Sequence, residues 1–120
     1  MNIFDDDITR LNFEDILFII LIIGICFNIY ADNCEKKYII NHDKRLEVRA
    51  NKIYIIVLIV TGIIYLYYLY RNYDAYKKSN KEDKNRFEIK LLGSAFFIAG
   101  ILCLIYFQYK DPNFIGAPSI

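Results

Sequence analysis

The chain has 120 residues, of which 56% are hydrophobic and 24% charged, and its formal net charge is only +1. A soluble domain usually contains about 45–50% apolar residues, and here all 29 charged residues lie outside three uncharged apolar segments. This composition and this distribution exclude a soluble enzyme, a nucleic-acid-binding protein and a disordered tail. They predict an integral protein of the lipid bilayer.

The three apolar segments comprise residues 16–31, 53–70 and 91–109. As helices they would be roughly 24, 27 and 28 Å long, close to the hydrocarbon thickness of about 30 Å. Leu11 and Phe13 extend the shortest, first segment, and we expect Glu14 and Asp15 to lie near the positive N-terminal end of its helix. Unbroken apolar runs lack the alternation of a membrane β-barrel, so we predict an all-α protein with three transmembrane helices.

The residues before the first segment do not resemble a secretory signal. They carry five acidic residues and only Arg10 as a base, whereas a signal peptide begins with net positive charge. No small-residue cleavage site follows the segment. We therefore expect residues 16–31 to be retained as the first span.

The remaining stretches divide the single membrane domain as follows: an acidic N-terminal tail at 1–15, basic loops at 32–52 and 71–90, and an apolar C-terminal tail at 110–120. The loops are nearly free of Gly and Pro, so we expect spans two and three to continue into water as helices. Ser79 and Asn80, followed by acidic residues, predict a helix start, with a turn near 78–81. The tail is extended around Pro118, and we expect it on the membrane surface, in a groove or on a partner.

Charge gives conflicting evidence on orientation. The four stretches outside the apolar segments contain one, six, seven and one Lys or Arg in chain order. The positive-inside rule is therefore nearly tied, and both basic loops favour the cytoplasm. Because the first span usually dominates, we predict the N-terminus outside and the C-terminus inside. Dual topology, with copies inserted both ways, stays open as the alternative.

A polar stripe follows one face of the second segment. Tyr54, Thr61, Tyr65 and Tyr68 recur at steps of seven, four and three residues, and Asn72 continues the series. At 100° per residue these side chains share one face of a helix. Such a stripe faces protein or water rather than lipid, so we expect interhelical hydrogen bonds, with the lining of a narrow aqueous path as the alternative.

The other two segments carry faces suited to close packing. In the first segment Gly24 and Asn28 share one face, and Asn28 is the only amide there, so it needs a partner. In the third segment Ala95, Ala99 and Cys103 form a row of small residues at steps of four, where another backbone can approach closely. We expect these faces to meet the polar stripe, within the bundle or across an oligomer.

Residues that carry chemistry are scarce. No ionisable side chain lies inside the apolar segments, which argues against ion-coupled transport. His42 is the only histidine, and a nucleophilic pair with Cys34 would need a third orienting group. The aspartates at 5–7 lack the spaced ligands and the glycine of a calcium loop. We predict no catalytic, cofactor-binding or metal-binding residue.

These observations predict a non-enzymatic interaction or assembly module, an accessory subunit or structural component of a membrane. Its expected partners are the lipid bilayer and a second copy or another membrane protein, and not nucleic acid. The alternative is an oligomeric pore or holin-like channel, lined by the polar stripe of the second segment.

Overall fold

The computed structural model describes residues 6–118, in which all regular secondary structure is helical. It contains three helices: α1 (Asp7–Asn41), α2 (Lys44–Lys78) and α3 (Lys84–Lys110). Each helix is long and apolar enough to cross a membrane. The prediction of an all-α fold with three such helices is confirmed, and the helices indicate a multi-pass membrane protein.

The helices are longer than their apolar segments. α1 and α2 have 35 residues each, or roughly 52 Å at 1.5 Å per residue, against a hydrocarbon core of about 30 Å. The molecule is accordingly 60 Å long and only 26 by 18 Å across. The stretches 32–52 and 71–90 are therefore mostly helical. α2 and α3 continue beyond their apolar segments, and so does α1, at both of its ends.

The start of α1 differs from the expectation. Asp6 caps the helix, because its carboxylate accepts hydrogen bonds from the Ile8 N–H at 3.1 Å and the Thr9 hydroxyl at 2.6 Å. Glu14 and the residue after it thus lie two turns inside the helix, and the expectation that they lie near the N-terminal end of the dipole is wrong. Asp5 of the acidic run lies outside the described residues.

A two-residue connection joins α1 to α2. His42 has a left-handed backbone with φ of 56°, and its N–H bonds to the Tyr38 carbonyl at 2.7 Å, which closes α1. Asp43 then caps α2 by accepting the Arg45 N–H at 3.0 Å. A connection this short holds the two helices side by side and antiparallel.

The connection from α2 to α3 lies at 79–83. Ser79 ends α2, because its N–H and its hydroxyl both bond to the Tyr76 carbonyl, at 3.3 and 2.6 Å. The Asn80 side chain then accepts the Asp83 N–H at 3.1 Å. The predicted turn agrees with this placement, but the predicted helix start at Ser79 and Asn80 is wrong, because these residues form the turn and α3 begins at Lys84.

The central helix organises the packing. α1 and α3 both lie along α2, and within residues 6–118 they make no extensive contact with each other. The buried apolar side chains form a narrow seam that includes Leu17, Leu58, Ile64 and Ile101. Most large apolar side chains of the three segments are exposed. This is the arrangement expected when lipid, not a protein core, solvates them.

Gly62 marks a close approach of α2 to α3, and its replacement by Leu is expected to lower the free energy of unfolding by about 2 kcal/mol. A Cβ at Gly62 would lie 3.3 Å from Cγ2 of the buried Ile101. Gly100 has open space beside it within the chain, so Gly100→Leu is expected to change the stability of the monomer by less than about 0.5 kcal/mol. Unfolding by SDS titration in mixed micelles, followed by circular dichroism, compares the two. Equal losses would contradict a tight α2–α3 contact at Gly62.

Candidate functional site

A cleft runs along α2, bordered by α1 and α3 at its larger cavity and by α1 and Pro118 at its smaller one. Two cavities of about 240 and 410 Å³ follow one another along it, and both are lined by Leu21 and Tyr65. Leu21 belongs to the α1 wall and Tyr65 to the floor. We call these two neighbouring cavities together the cleft.

The predicted polar stripe forms the floor of the cleft. Tyr54 and Thr61 are buried and Tyr65 and Tyr68 half-buried, and each lines at least one of the two cavities. The structure therefore brings the four residues together. The Thr61 hydroxyl, however, donates to the Val57 carbonyl of its own helix at 2.7 Å, and not to another helix as its position led us to expect.

The two predicted residues of α1 both face α2. Asn28 lines the smaller cavity together with Tyr54, and its buried side-chain oxygen has no hydrogen-bond partner within residues 6–118. Gly24 also faces α2, because a Cβ there would lie 3.4 Å from Cγ1 of Val57. The partner that the Asn28 oxygen needs is thus not supplied by the described part of the chain.

The small residues of α3 lie away from the cleft. Ala95, Ala99 and Cys103 are all exposed, whereas Ile101 is buried against α2. At 100° per residue Ala99 and Cys103 each lie about 160° from Ile101, on the opposite side of the helix. The structure therefore does not bring this row to the other two faces within one chain.

An ion pair closes the basic end of the cleft. The Arg71 guanidinium lies 3.0 Å from the Glu14 carboxylate, which also accepts the Tyr67 hydroxyl at 3.1 Å and lies 3.7 Å from Arg10. Glu14 is only 4% exposed. A buried carboxylate of this kind needs such partners, because desolvation of an unpaired charge is costly.

Arg71 links the ion pair to α3. It bonds to the Asn72 side-chain oxygen at 3.0 and 3.2 Å, and Asn72 in turn donates to the Ser94 hydroxyl. The guanidinium also lies 4.8 Å from the centre of the Tyr68 ring, a cation–π distance. One side chain of α2 thus positions polar groups of all three helices.

The opposite end of the cleft is acidic. The buried Tyr54 hydroxyl donates to the Asp32 carboxylate, and Glu35, one turn further along α1, accepts the Gly116 N–H at 2.7 Å. Burial raises the pKa of the Glu35 carboxyl above its usual range, and the hydrogen bond from Gly116 partly opposes this. The two carboxylates of α1 thus bond to α2 and to the C-terminal tail.

The C-terminal tail packs at this acidic end. Gly116 has φ of 117°, a left-handed conformation that suits glycine. Ala117 packs against the buried cluster formed by Ala31, Cys34, Ala50 and Tyr54, and Pro118 lines the smaller cavity. The tail was expected on the membrane surface, in a groove or on a partner, and residues 116–118 lie in the groove. Ser119 and Ile120 lie outside the described residues.

Glu14, Arg71 and Glu35 were not predicted to interact with other helices or with the tail. The spacing could have indicated the two glutamates. Steps of three and four residues lead from Gly24 back to Glu14 and from Asn28 on to Glu35, so both glutamates lie on the same helix face. Charged residues at the ends of apolar segments are usually solvated. Here the helices continue past those ends, so the same faces stay in contact there.

Among residues 6–118, His42 and Cys34 lie in different surroundings. His42 is exposed at the turn, whereas Cys34 is buried among helix residues. Within residues 6–118 no three His, Cys, Asp or Glu side chains are grouped to hold a metal ion. Comparisons of the chain with family models, with curated proteins and with solved structures find no match. The cleft and the outer face of α3 are therefore the candidate sites.

Proposed function

We propose that the protein is an integral membrane protein that acts as a non-enzymatic assembly module, associating with a second copy through the outer face of α3. The observation that carries this proposal is the outward position of Ala95, Ala99 and Cys103, all of which are exposed. Another membrane protein with a similar face is the alternative partner.

Small residues matter because the hydrophobic effect does not drive helices together in lipid. Association there depends on close packing, which side chains such as Ala and Cys allow. A Cβ placed on the neighbouring Gly100 would meet nothing within 4 Å, so this part of α3 has no bulky cover from the described chain. These features support a helix–helix contact along the row.

The polar stripe supports packing rather than a lumen. Tyr54 is fully buried and Thr61 is 8% exposed, and both lie between helices of the same chain. For a shared pore these side chains would have to face an axis between copies. Their burial therefore favours the assembly module over the pore.

The orientation with the N-terminus outside and the C-terminus inside is part of the proposal. It rests on the dominance of the first span, whose C-terminal flank carries the more basic residues. All copies would then be parallel. Dual topology would make the α3 pairs antiparallel, and cysteine cross-linking distinguishes the two arrangements.

Oxidation of native membranes with copper phenanthroline is expected to cross-link the outer face of α3. A chain that keeps only Cys103, with Cys26→Ala and Cys34→Ala, should form a covalent dimer. Ala99→Cys in a chain without other cysteines should do the same. Ala99→Ile added to the first chain should abolish its cross-link, because the larger side chain separates the two backbones. Denaturing gel electrophoresis without reductant measures the dimer.

The matched control keeps only Cys26, which is also exposed but lies on α1, and it should stay monomeric. Cross-linking at position 99 but not at Cys103 would indicate antiparallel pairs. Cys103 lies about 4.5 Å from the midpoint of the third segment, so in an antiparallel pair the two Cys103 residues would lie on opposite sides of that midpoint and could not meet. No dimer at either position would contradict association through this face. A heavier cross-linked product that contains another protein would show that this protein, and not a second copy, is the partner.

A further inference from the structure

The basic end of the cleft differs from ordinary charged loops because its cations border a cavity with apolar walls. The 410 Å³ cavity is lined by Arg71 and Lys90 together with Asn72 and Ser94. Its remaining wall is apolar or aromatic: Phe18, Leu21, Tyr65, Tyr68, Gly93 and Phe97. The cavity thus combines a polar, cationic mouth with an apolar interior.

The cations of this cavity are not neutralised. Glu14 is shared by Arg10 and Arg71, while Lys90 makes no ion pair with a residue of the described chain. The three cations and one carboxylate leave a local charge of +2, or +1 if the exposed Asp15 is included. Partial burial and the nearby Arg71 and Arg10 lower the pKa of the Lys90 ammonium, against a weaker opposing effect of Glu14. An anion placed there would relieve this repulsion.

The level of the cavity matches that of lipid phosphates. Arg71 directly follows the second apolar segment and Lys90 directly precedes the third, so both lie at the boundary of the hydrocarbon core if the segments span it. Beside them the aromatic walls are open to the side, with Phe18 51% and Phe97 52% exposed. A ligand with an anionic head and an apolar chain fits both parts.

We infer that the basic end of the cleft binds an anionic phospholipid, with its phosphate between Arg71 and Lys90 and an acyl chain between Phe18 and Phe97. The Tyr68 hydroxyl, which is buried and has no hydrogen-bond partner in the described chain, is available to the head group. The shared chemistry is that of a phosphate anion. The acyl chain distinguishes a lipid from free phosphate.

Native mass spectrometry of the 120-residue chain, released from detergent micelles, measures this binding. The probes are dioleoyl phosphatidylglycerol, dioleoyl phosphatidylcholine and inorganic phosphate. We expect phosphatidylglycerol to bind at least about fivefold more tightly than phosphatidylcholine, which corresponds to about 1 kcal/mol, the value of one cation near the head group. Lys90→Gln should remove most of this preference, and Lys90→Arg should keep it.

The matched control replaces two exposed cations at the neighbouring connection, Lys77→Gln and Lys81→Gln, and should leave the preference unchanged. Lys90 is only partly covered and makes no ion pair within residues 6–118, so its neutral variant tests binding without removing a buried partner. Equal losses in the control and in Lys90→Gln would show diffuse attraction and overturn the inference. Phosphate binding as tight as lipid binding would overturn the assignment of a lipid ligand.

Discussion

The Arg71→Gln variant is expected to have a free energy of unfolding about 3 kcal/mol lower than that of the parent chain. The substitution leaves Glu14, which is 4% exposed, without its nearest cation. Loss of one partner of a buried ion pair costs about 3–5 kcal/mol. The lower end of that range applies because Arg10 lies 3.7 Å from the same carboxylate. SDS-titration unfolding in mixed micelles without anionic lipid measures the loss.

Two further variants separate the ion pair from a general effect of charge. Glu14→Gln combined with Arg71→Gln removes both charges and should recover most of the loss, since no unpaired charge stays buried. Arg86→Gln breaks the exposed pair with Asp83 and should cost less than about 0.5 kcal/mol. If the double variant were less stable than Arg71→Gln alone, the buried carboxylate would not be the cause.

Tyr54→Ala is expected to lower the free energy of unfolding by about 4 kcal/mol, more than Arg71→Gln. Tyr54 is 0% exposed and belongs to the buried cluster on which the C-terminal tail packs. Removal of a buried aromatic ring leaves a cavity and costs about 3–5 kcal/mol. Tyr54→Phe keeps the ring but removes the donor to Asp32, so a smaller loss of about 1–2 kcal/mol is expected.

The matched control for Tyr54→Ala is Tyr106→Ala. Tyr106 is 65% exposed and lies on α3, so its removal should change the free energy of unfolding by less than about 0.5 kcal/mol. The same SDS titration serves both variants. A loss at Tyr54→Ala no greater than that at Tyr106→Ala would mean that the tail and the buried cluster contribute little to stability.

The formation of three helices was largely predictable from composition, because the α-helix is the stable backbone conformation in lipid for an unbroken uncharged apolar segment of this length. Their ends were less predictable. Local rules for helix ends place Glu14 and Ser79 at helix starts, yet Asp6 and Asp83 mark the actual starts. Several residues in each region can cap a helix, and propensity alone does not choose among them.

The floor of the cleft was predictable from periodicity, because Tyr54, Thr61, Tyr65 and Tyr68 share one face of any α-helix. Which helix each face would meet was not. The position of Ala99 on the outside and of Asn28 on the inside depends on how α1 and α3 are rotated about α2. That rotation follows from the summed packing of many side chains, such as Ile101 against Gly62, and no single motif encodes it.

The packed tail also bears on the order in which the chain acquires its structure. Contacts between α1 and α2, and between α2 and α3, join neighbours in sequence and form quickly once each hairpin exists. The hydrogen bond from Gly116 to Glu35 instead joins residues 81 positions apart. It closes only after both hairpins have formed and Gly116 has been synthesised, so the tail should dock after the helices have packed.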